Sequence, residues 1–212
     1  MHPETADKNM LLLSTKLGFL QDLSFYLAGG TGLAVQIGHR KSFDLDFFTN
    51  MEFSPENLSS LIKNHHIYSE GEMRGHGTLY CILERVKSSF IFYDGLIIFP
   101  FIELNTLNIA DWRDITAEKL RTVSERGQKK DFYDLYCGVQ KLGIKNVVEL
   151  AGKKFGKRLN YFHLLKGITY FEDAERSPEP MMLDKTISWQ DVKNFFVSHI
   201  QDFENAFRSL KK

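Results

Sequence analysis

The chain predicts an α+β protein, a mixed sheet first and helices after it, and three features carry that expectation. Short β-like runs bounded by turn residues fill the part before residue 110. A double glycine, Gly29-Gly30, stands between one such run and a helical pattern. From Asp114 onward apolar residues recur at helical spacing. The expected division is an α/β core over 1–110 and a helical region over 111–212.

Taken in order, leucines at 12, 13, 17, 20 and 23 predict an amphipathic helix over 10–23. Residues 25–28 read as a short buried strand that Gly29-Gly30 breaks, and Thr31 opens a helix ending at Gly38. Residues 43–48 form the next strand, and Pro55 starts a helix through about Lys63. Three further strands are predicted over 66–73, 79–86 and 89–93, while Pro100 makes the run 96–104 an edge strand or a loop. Asp114 is expected to cap a helix reaching Glu125, and a second helix spans 129–142 before Gly143. Helical pattern returns over 147–155, 161–168 and 189–210.

With 212 residues, 43% of them hydrophobic and 13% aromatic, the chain can bury a sizeable core. Its 27 basic and 27 acidic residues cancel, so no global field points to nucleic acid or membrane. Basic residues do outnumber acidic ones between Ala110 and Tyr170, and the run Lys153-Lys154-Phe155-Gly156-Lys157-Arg158 could follow a phosphate backbone. Cys81 and Cys137 lack any metal or redox spacing and read as small buried residues. His65, His66 and His76 show no ligand pattern. The first residues lack a basic segment followed by a long apolar stretch, which predicts a cytoplasmic protein without a membrane partner.

The chemistry concentrates in two places. Alternate side chains of a strand share a face, so Asp44 and Asp46 point one way while Leu45 and Phe47 point into the core. Two carboxylates flanking one point repel each other, and a hard divalent cation, Mg²⁺ above all, relieves that repulsion while accepting phosphate oxygens. Gly29 and Gly30 permit a tight turn that presents backbone amides at a helix N-terminus, where an anion such as phosphate binds, and the Thr31 hydroxyl can both donate to phosphate and cap the helix. Either feature alone is weak. In the order strand, double glycine, helix, strand with Asp-x-Asp, they describe a site for a metal-bound nucleoside triphosphate (NTP). The third glycine and the acidic residue of a dinucleotide-binding fingerprint are missing, as is any P-loop.

The segment Leu27-Ala-Gly-Gly-Thr-Gly-Leu-Ala-Val-Gln-Ile-Gly-His-Arg-Lys-Ser-Phe-Asp-Leu-Asp-Phe-Phe48 closely resembles the signature of the AbiEii/AbiGii-type toxin nucleotidyltransferases. A second block, Asp114-Ile-Thr-Ala-Glu-Lys119-Leu, then Arg126, then Lys129-Lys-Asp131-Phe-Tyr-Asp134-Leu-Tyr, and a tail with Tyr170-Phe-Glu-Asp-Ala and Trp189, extend the likeness over most of the chain. The resemblance implies a DNA polymerase β-like nucleotidyltransferase core whose active site the helical region completes. It implies transfer of NMP from an NTP to a hydroxyl, RNA and in particular the tRNA 3′ end, by a toxin that an antitoxin opposes in toxin–antitoxin or phage-defence systems. A small molecule or protein acceptor, or a non-catalytic nucleotide- or partner-binding module, are the alternatives.

Carried over, Asp44 and Asp46 hold Mg²⁺ and act in catalysis, Lys119 contacts the triphosphate and Asp131 is a further essential acid. Gly29, Gly30, Thr31, Arg40 and Arg126 are the nucleotide-binding candidates. Helical spacing agrees, since Lys119 shares a face with Val123 and Arg126 while Asp131 and Asp134 share one on the next helix. The third carboxylate common in polymerase β-like enzymes is absent from the segment 86–92, leaving Glu84, Asp94 and Glu103 as substitutes without a motif. Either Asp131 is the base, or the acceptor hydroxyl loses its proton with metal help alone.

Overall fold

The structure is a computed structural model that describes residues 1–210, apart from the side chain of Arg126. It divides into two compact units. Met1–Gly95 with Pro100–Asp111 makes the first, and Leu96–Phe99 with Trp112–Lys212 makes the second.

The first unit is built on a seven-stranded mixed sheet in the order β3-β4-β5-β2-β1-β7-β6. Its strands are β1 (Tyr26–Leu27), β2 (Asp44–Thr49), β3 (Ser69–Gly75), β4 (Thr78–Leu83), β5 (Val86–Phe92), β6 (Ile102–Leu104) and β7 (Leu107–Ile109). β2 runs parallel to β5 and antiparallel to β1, which in turn is parallel to β7. Helices α1 (Lys8–Lys16), α2 (Gly29–Ile37) and α3 (Pro55–Asn64) complete it. Met10, Leu13, Val35, Leu58 and Ile62 from these helices join Leu45, Phe47, Leu79, Cys81, Leu83 and Phe90 in one buried cluster.

That cluster is what fixes the sheet's register. Phe47 and Phe90 are fully buried and stack with ring centroids 5.2 Å apart. Burying such a side chain is worth about 1.5–3 kcal/mol. A slip of one residue would expose Leu45 and Phe47 and bury Asp44 and Asp46 in their place, so the core holds the carboxylates on the opposite face.

Element boundaries shift from the sequence expectation for local reasons. The first helix stops at Lys16, and residues 18–20 form a single 3₁₀ turn. α2 begins at Gly29 itself, because Gly29 takes φ +61° and turns the chain out of β1. The β4–β5 hairpin turns at Glu84-Arg85, both at positive φ, so the strand expected to run through Val86 ends at Leu83. The run 96–104 holds strand only in β6, which forms one edge of the sheet.

On the other edge, Glu72 of β3 faces α3 and accepts from both Ser59 and Ser69, with the Lys63 ammonium 2.9 Å away and Arg74 in contact. Lys63 foremost, then Arg74 and the two hydroxyls, hold its carboxyl down at about 2 against the opposing effect of burial. A carboxyl depressed on folding stabilises above its unfolded value and stops doing so as pH falls through the folded one. Glu72→Gln is therefore expected to cost on the order of 2 kcal/mol at pH 7, screening at the exposed cations allowed for, with the deficit vanishing between about pH 4.5 and pH 2. Thermal unfolding of both proteins across that range checks this.

The second unit is helical: α4 (Trp112–Arg126), α5 (Lys129–Leu142), α6 (Ile144–Phe155), α7 (Tyr161–Gly167), α8 (Glu172–Glu175), α9 (Trp189–Ser198) and α10 (Ile200–Ser209). The helical run expected over 189–210 breaks at His199. Leu120, Val123, Phe132, Tyr133, Leu135, Val147, Val148, Phe196, Phe203 and Phe207 form its core. Asp114 does not cap α4. It lies inside the first turn, 1% exposed, and accepts from the Ile98 and Phe99 amides while the Lys154 ammonium sits 3.1 Å away. Lys154 also donates to the Leu96 carbonyl, so this member of the basic run is buried rather than offered to a phosphate backbone. Cys81 and Cys137 are buried free thiols, and burial pushes the Cys81 thiol up to about 11.

Candidate active site

In the first unit, β2 alternates as its sequence predicts: Leu45, Phe47 and Thr49 are buried while Asp44, Asp46 and Phe48 lie half-buried on the other face. The glycine turn and the carboxylates meet. Ala28 donates its amide to the Asp46 carbonyl at 2.9 Å, and a Cβ built on Gly29 would lie 2.6 Å from Asp46 Oδ2. Only glycine allows that approach and the positive φ together. Gly29 and Gly30 form the start of α2, and Ala28 before them supplies no capping oxygen. The N-terminal end of this helix, with its outward amides and positive dipole end, thus lies against a strand bearing two carboxylates.

Thr31 takes a different part from the one its sequence suggests. Its side chain is buried and donates to the Asp44 carbonyl, with the Ser42 hydroxyl 2.7 Å away. It ties α2 to the start of β2 and does not cap the helix. Ser89, opposite Asp46 on β5, donates its hydroxyl to Asp46 Oδ1 and so fixes the carboxylate's orientation. Sequence reasoning missed Ser89 and Ser42. The usable signal was small polar residues interrupting apolar strand pattern.

Arg40 is 4% exposed and donates to the Lys41 carbonyl at 2.9 Å. β5 is the parallel neighbour of β2, and it sets Lys87 opposite Asp44 and Ser89 opposite Asp46, with no carboxylate at either position. Of the substitutes, Glu84 sits on the hairpin turn and pairs with Lys16 at 3.2 Å. Glu103, on the edge strand β6, is exposed.

In the second unit, the Lys119 ammonium lies 2.6 Å from Asp131 Oδ1 and 2.8 Å from Asp134 Oδ2. All three residues are buried. Asp131 also closes the N-terminus of α5, where its carboxylate accepts the Gln128 amide within a reciprocal capping box. The convergence of cation and acid predicted by spacing is present, and Asp134 shares it equally with Asp131. The Arg126 side chain lies outside the described residues. Among the described residues no group of three or more metal-ligating side chains occurs, and no helix is long and apolar enough to cross a membrane.

A helix N-terminus set beside paired carboxylates on a mixed sheet has the chemistry to hold a metal-bound phosphate. Comparison with known proteins gives the class. Residues 84–209 match the family described as nucleotidyl transferase AbiEii toxin, type IV toxin–antitoxin system. An uncharacterized protein of Aquifex aeolicus, aq_aa25, is 33% identical over 199 residues, covering 88% of this chain and 90% of that one. Two solved structures share the fold. A protein described as a nucleotidyltransferase of H. pylori matches with a TM-score of 0.58 at 16% identity, covering 95% of this chain and 96% of that one. JHP933 of Helicobacter pylori gives 0.55 at 16% identity, with 96% and 95% covered.

The chain belongs to the AbiEii nucleotidyltransferase toxin family of type IV toxin–antitoxin systems. It is therefore a nucleotidyltransferase, and the family implies an NTP substrate and an antitoxin that opposes it. Nucleotidyltransferases of this fold generally use a divalent metal.

Proposed function

We propose that the protein transfers NMP from an NTP to a hydroxyl of RNA, the tRNA 3′ end first among candidates, with Asp44 and Asp46 as ligands for Mg²⁺. The observation that carries this is the contact between Gly29 and Asp46, which brings an anion-binding helix start against the carboxylate pair. The donor set fits the ion, since two carboxylates half-open on one strand face suit a small hard cation that also takes phosphate oxygens. When bound, Mg²⁺ supplies charge stabilisation to the phosphates as the transition state forms.

The chain's own groups do the remainder. The amides of Gly29 and Gly30 bind the triphosphate, and Ser89 keeps the Asp46 carboxylate aimed. The acceptor oxygen attacks the α-phosphorus, the bond to pyrophosphate breaks in line, and the acceptor's proton passes to water. Asp131 is a poor base for that proton, being 1% exposed and engaged with Lys119 and Gln128. Lys119 and Asp131 are proposed to serve the reaction as the motif suggests, with Asp134 holding the lysine beside them. The Thr31 hydroxyl acts from behind, by tying α2 to β2, and Arg40 by securing the turn before β2. Action inside the cytoplasm and a part in phage defence follow from the same reading.

Incubation with each radiolabelled NTP, Mg²⁺ and total RNA tests it. Label is expected in RNA and is expected to disappear with EDTA. Label in a small molecule or a protein would overturn the RNA acceptor, and no label in any fraction would overturn the transfer reading.

A further inference from the structure

The pairing register extends the carboxylate face well beyond β2. Asp46 lies opposite Ser89 of β5, Ser89 opposite Tyr80 of β4, and Tyr80 opposite Met73 of β3. Partners across a ladder point to the same side, so these four side chains form one row on the face that carries the aspartates. A neighbouring row joins Asp44, Lys87 and Ile82 in the same way. On this face the structure leaves Tyr80 45% and Met73 68% exposed, and Lys87 is exposed beside them. The opposite face of the same strands, by contrast, carries Leu79, Cys81, Leu83 and Phe90, all buried in the core.

Tyr80 and Met73 point away from the core and leave an aromatic ring and a thioether open on the carboxylate face. Tyr80 stands two strands from Asp46, about 10 Å at ~4.8 Å per strand. That span suits the last nucleotides of a chain whose terminal hydroxyl reacts at the carboxylates. Stacking of a base on an aromatic ring, with a cation close by for the backbone, is how proteins hold single-stranded nucleic acid.

We infer that Tyr80, flanked by Met73 and Lys87, is the acceptor subsite: the tyrosine ring stacks a base near the 3′ end of single-stranded RNA and Lys87 meets its phosphate. This rests on the reading that RNA is the acceptor. Nucleobase stacking tolerates any base, so Tyr80 sets affinity for a single-stranded end rather than for a sequence. The NTP, held at the helix start and the carboxylates, does not reach Tyr80 and Met73 at the far end of the row.

The test uses the full chain and a short single-stranded oligoribonucleotide with a free 3′-hydroxyl. Its binding is read by fluorescence anisotropy, and its KM and kcat by NTP-dependent labelling. Tyr80→Thr keeps a strand-favouring residue at an exposed position, so the fold should persist. It is expected to weaken RNA binding and raise the RNA KM by roughly 5- to 150-fold, the range for loss of one stacked base, with kcat and NTP binding unchanged. Tyr80→Trp, which retains a ring, should bind as the wild type does. Lys87→Gln should lower the salt dependence of RNA binding by about one phosphate contact.

Equal RNA affinity in Tyr80→Thr and wild type would overturn the subsite, as would a loss in Tyr80→Trp as large as that in Tyr80→Thr. RNA binding unchanged in Tyr80→Thr while association with a protein partner is lost would make this face a protein interface and also overturn it. Anisotropy needs no turnover, so a wild-type protein that binds RNA through Tyr80 yet transfers nothing would sink the transfer reading and the acceptor role with it, and leave Tyr80 as an RNA-binding residue only.

Discussion

Lys119→Met should destabilise the helical unit by about 3–5 kcal/mol, the usual cost of removing one partner from a buried ionic cluster. The wild-type ammonium lies within 2.8 Å of a carboxylate oxygen from each of Asp131 and Asp134, and side-chain exposure in the cluster is 8% or less. Without the cation, two buried carboxylates are left to face each other in a medium that screens poorly. Adding Asp134→Asn to Lys119→Met should recover part of the loss for the same reason, since it removes one of the opposed charges.

Urea unfolding of wild type, the single variant and the double variant at pH 7 measures all of this. A single variant as stable as wild type would show that the cluster does not hold the unit together. The experiment also guards against a misreading, because a Lys119 variant can lose transfer activity simply by losing its fold.

Much of the first unit was legible because its signals are local. The strand, double glycine, helix and second strand around the carboxylates follow from glycine's freedom at positive φ and from period-two alternation, and both describe what β2 and α2 do. What failed were readings of single polar residues. Asp114 and Thr31 are good capping types, and sequence cannot tell whether the oxygen meets its own helix or a distant partner. The partners turned out to be Ile98, Phe99 and Lys154 in one case, and Asp44 and Ser42 in the other.

The hairpin at Glu84-Arg85 was missed because neither residue is one that favours positive φ, and the turn is imposed by the strands it joins. The carboxylate pair of the first unit and, in the second, the meeting of Lys119 with Asp131 were readable from spacing. Ser89 and Tyr80 were not, because their relation to Asp46 depends on which strands are neighbours and in what register, and no local pattern records that.

Asp44 and Asp46 are proposed to hold together the metal that makes transfer possible. Asparagine in place of either keeps the size and much of the hydrogen bonding while removing one anionic ligand. Glu52, exposed and just past β2, provides a nearby acid outside the motif. Wild type, Asp44→Asn, Asp46→Asn and Glu52→Gln should therefore be compared at one Mg²⁺ concentration for thermal stability and for NTP-dependent labelling of RNA. The expected result is four proteins that melt at similar temperatures. Both asparagine variants should lose labelling by several kcal/mol of transition-state stabilisation, on the order of a thousandfold, while Glu52→Gln labels as wild type does. Retained labelling in both folded asparagine variants would contradict the metal assignment and the account built on it.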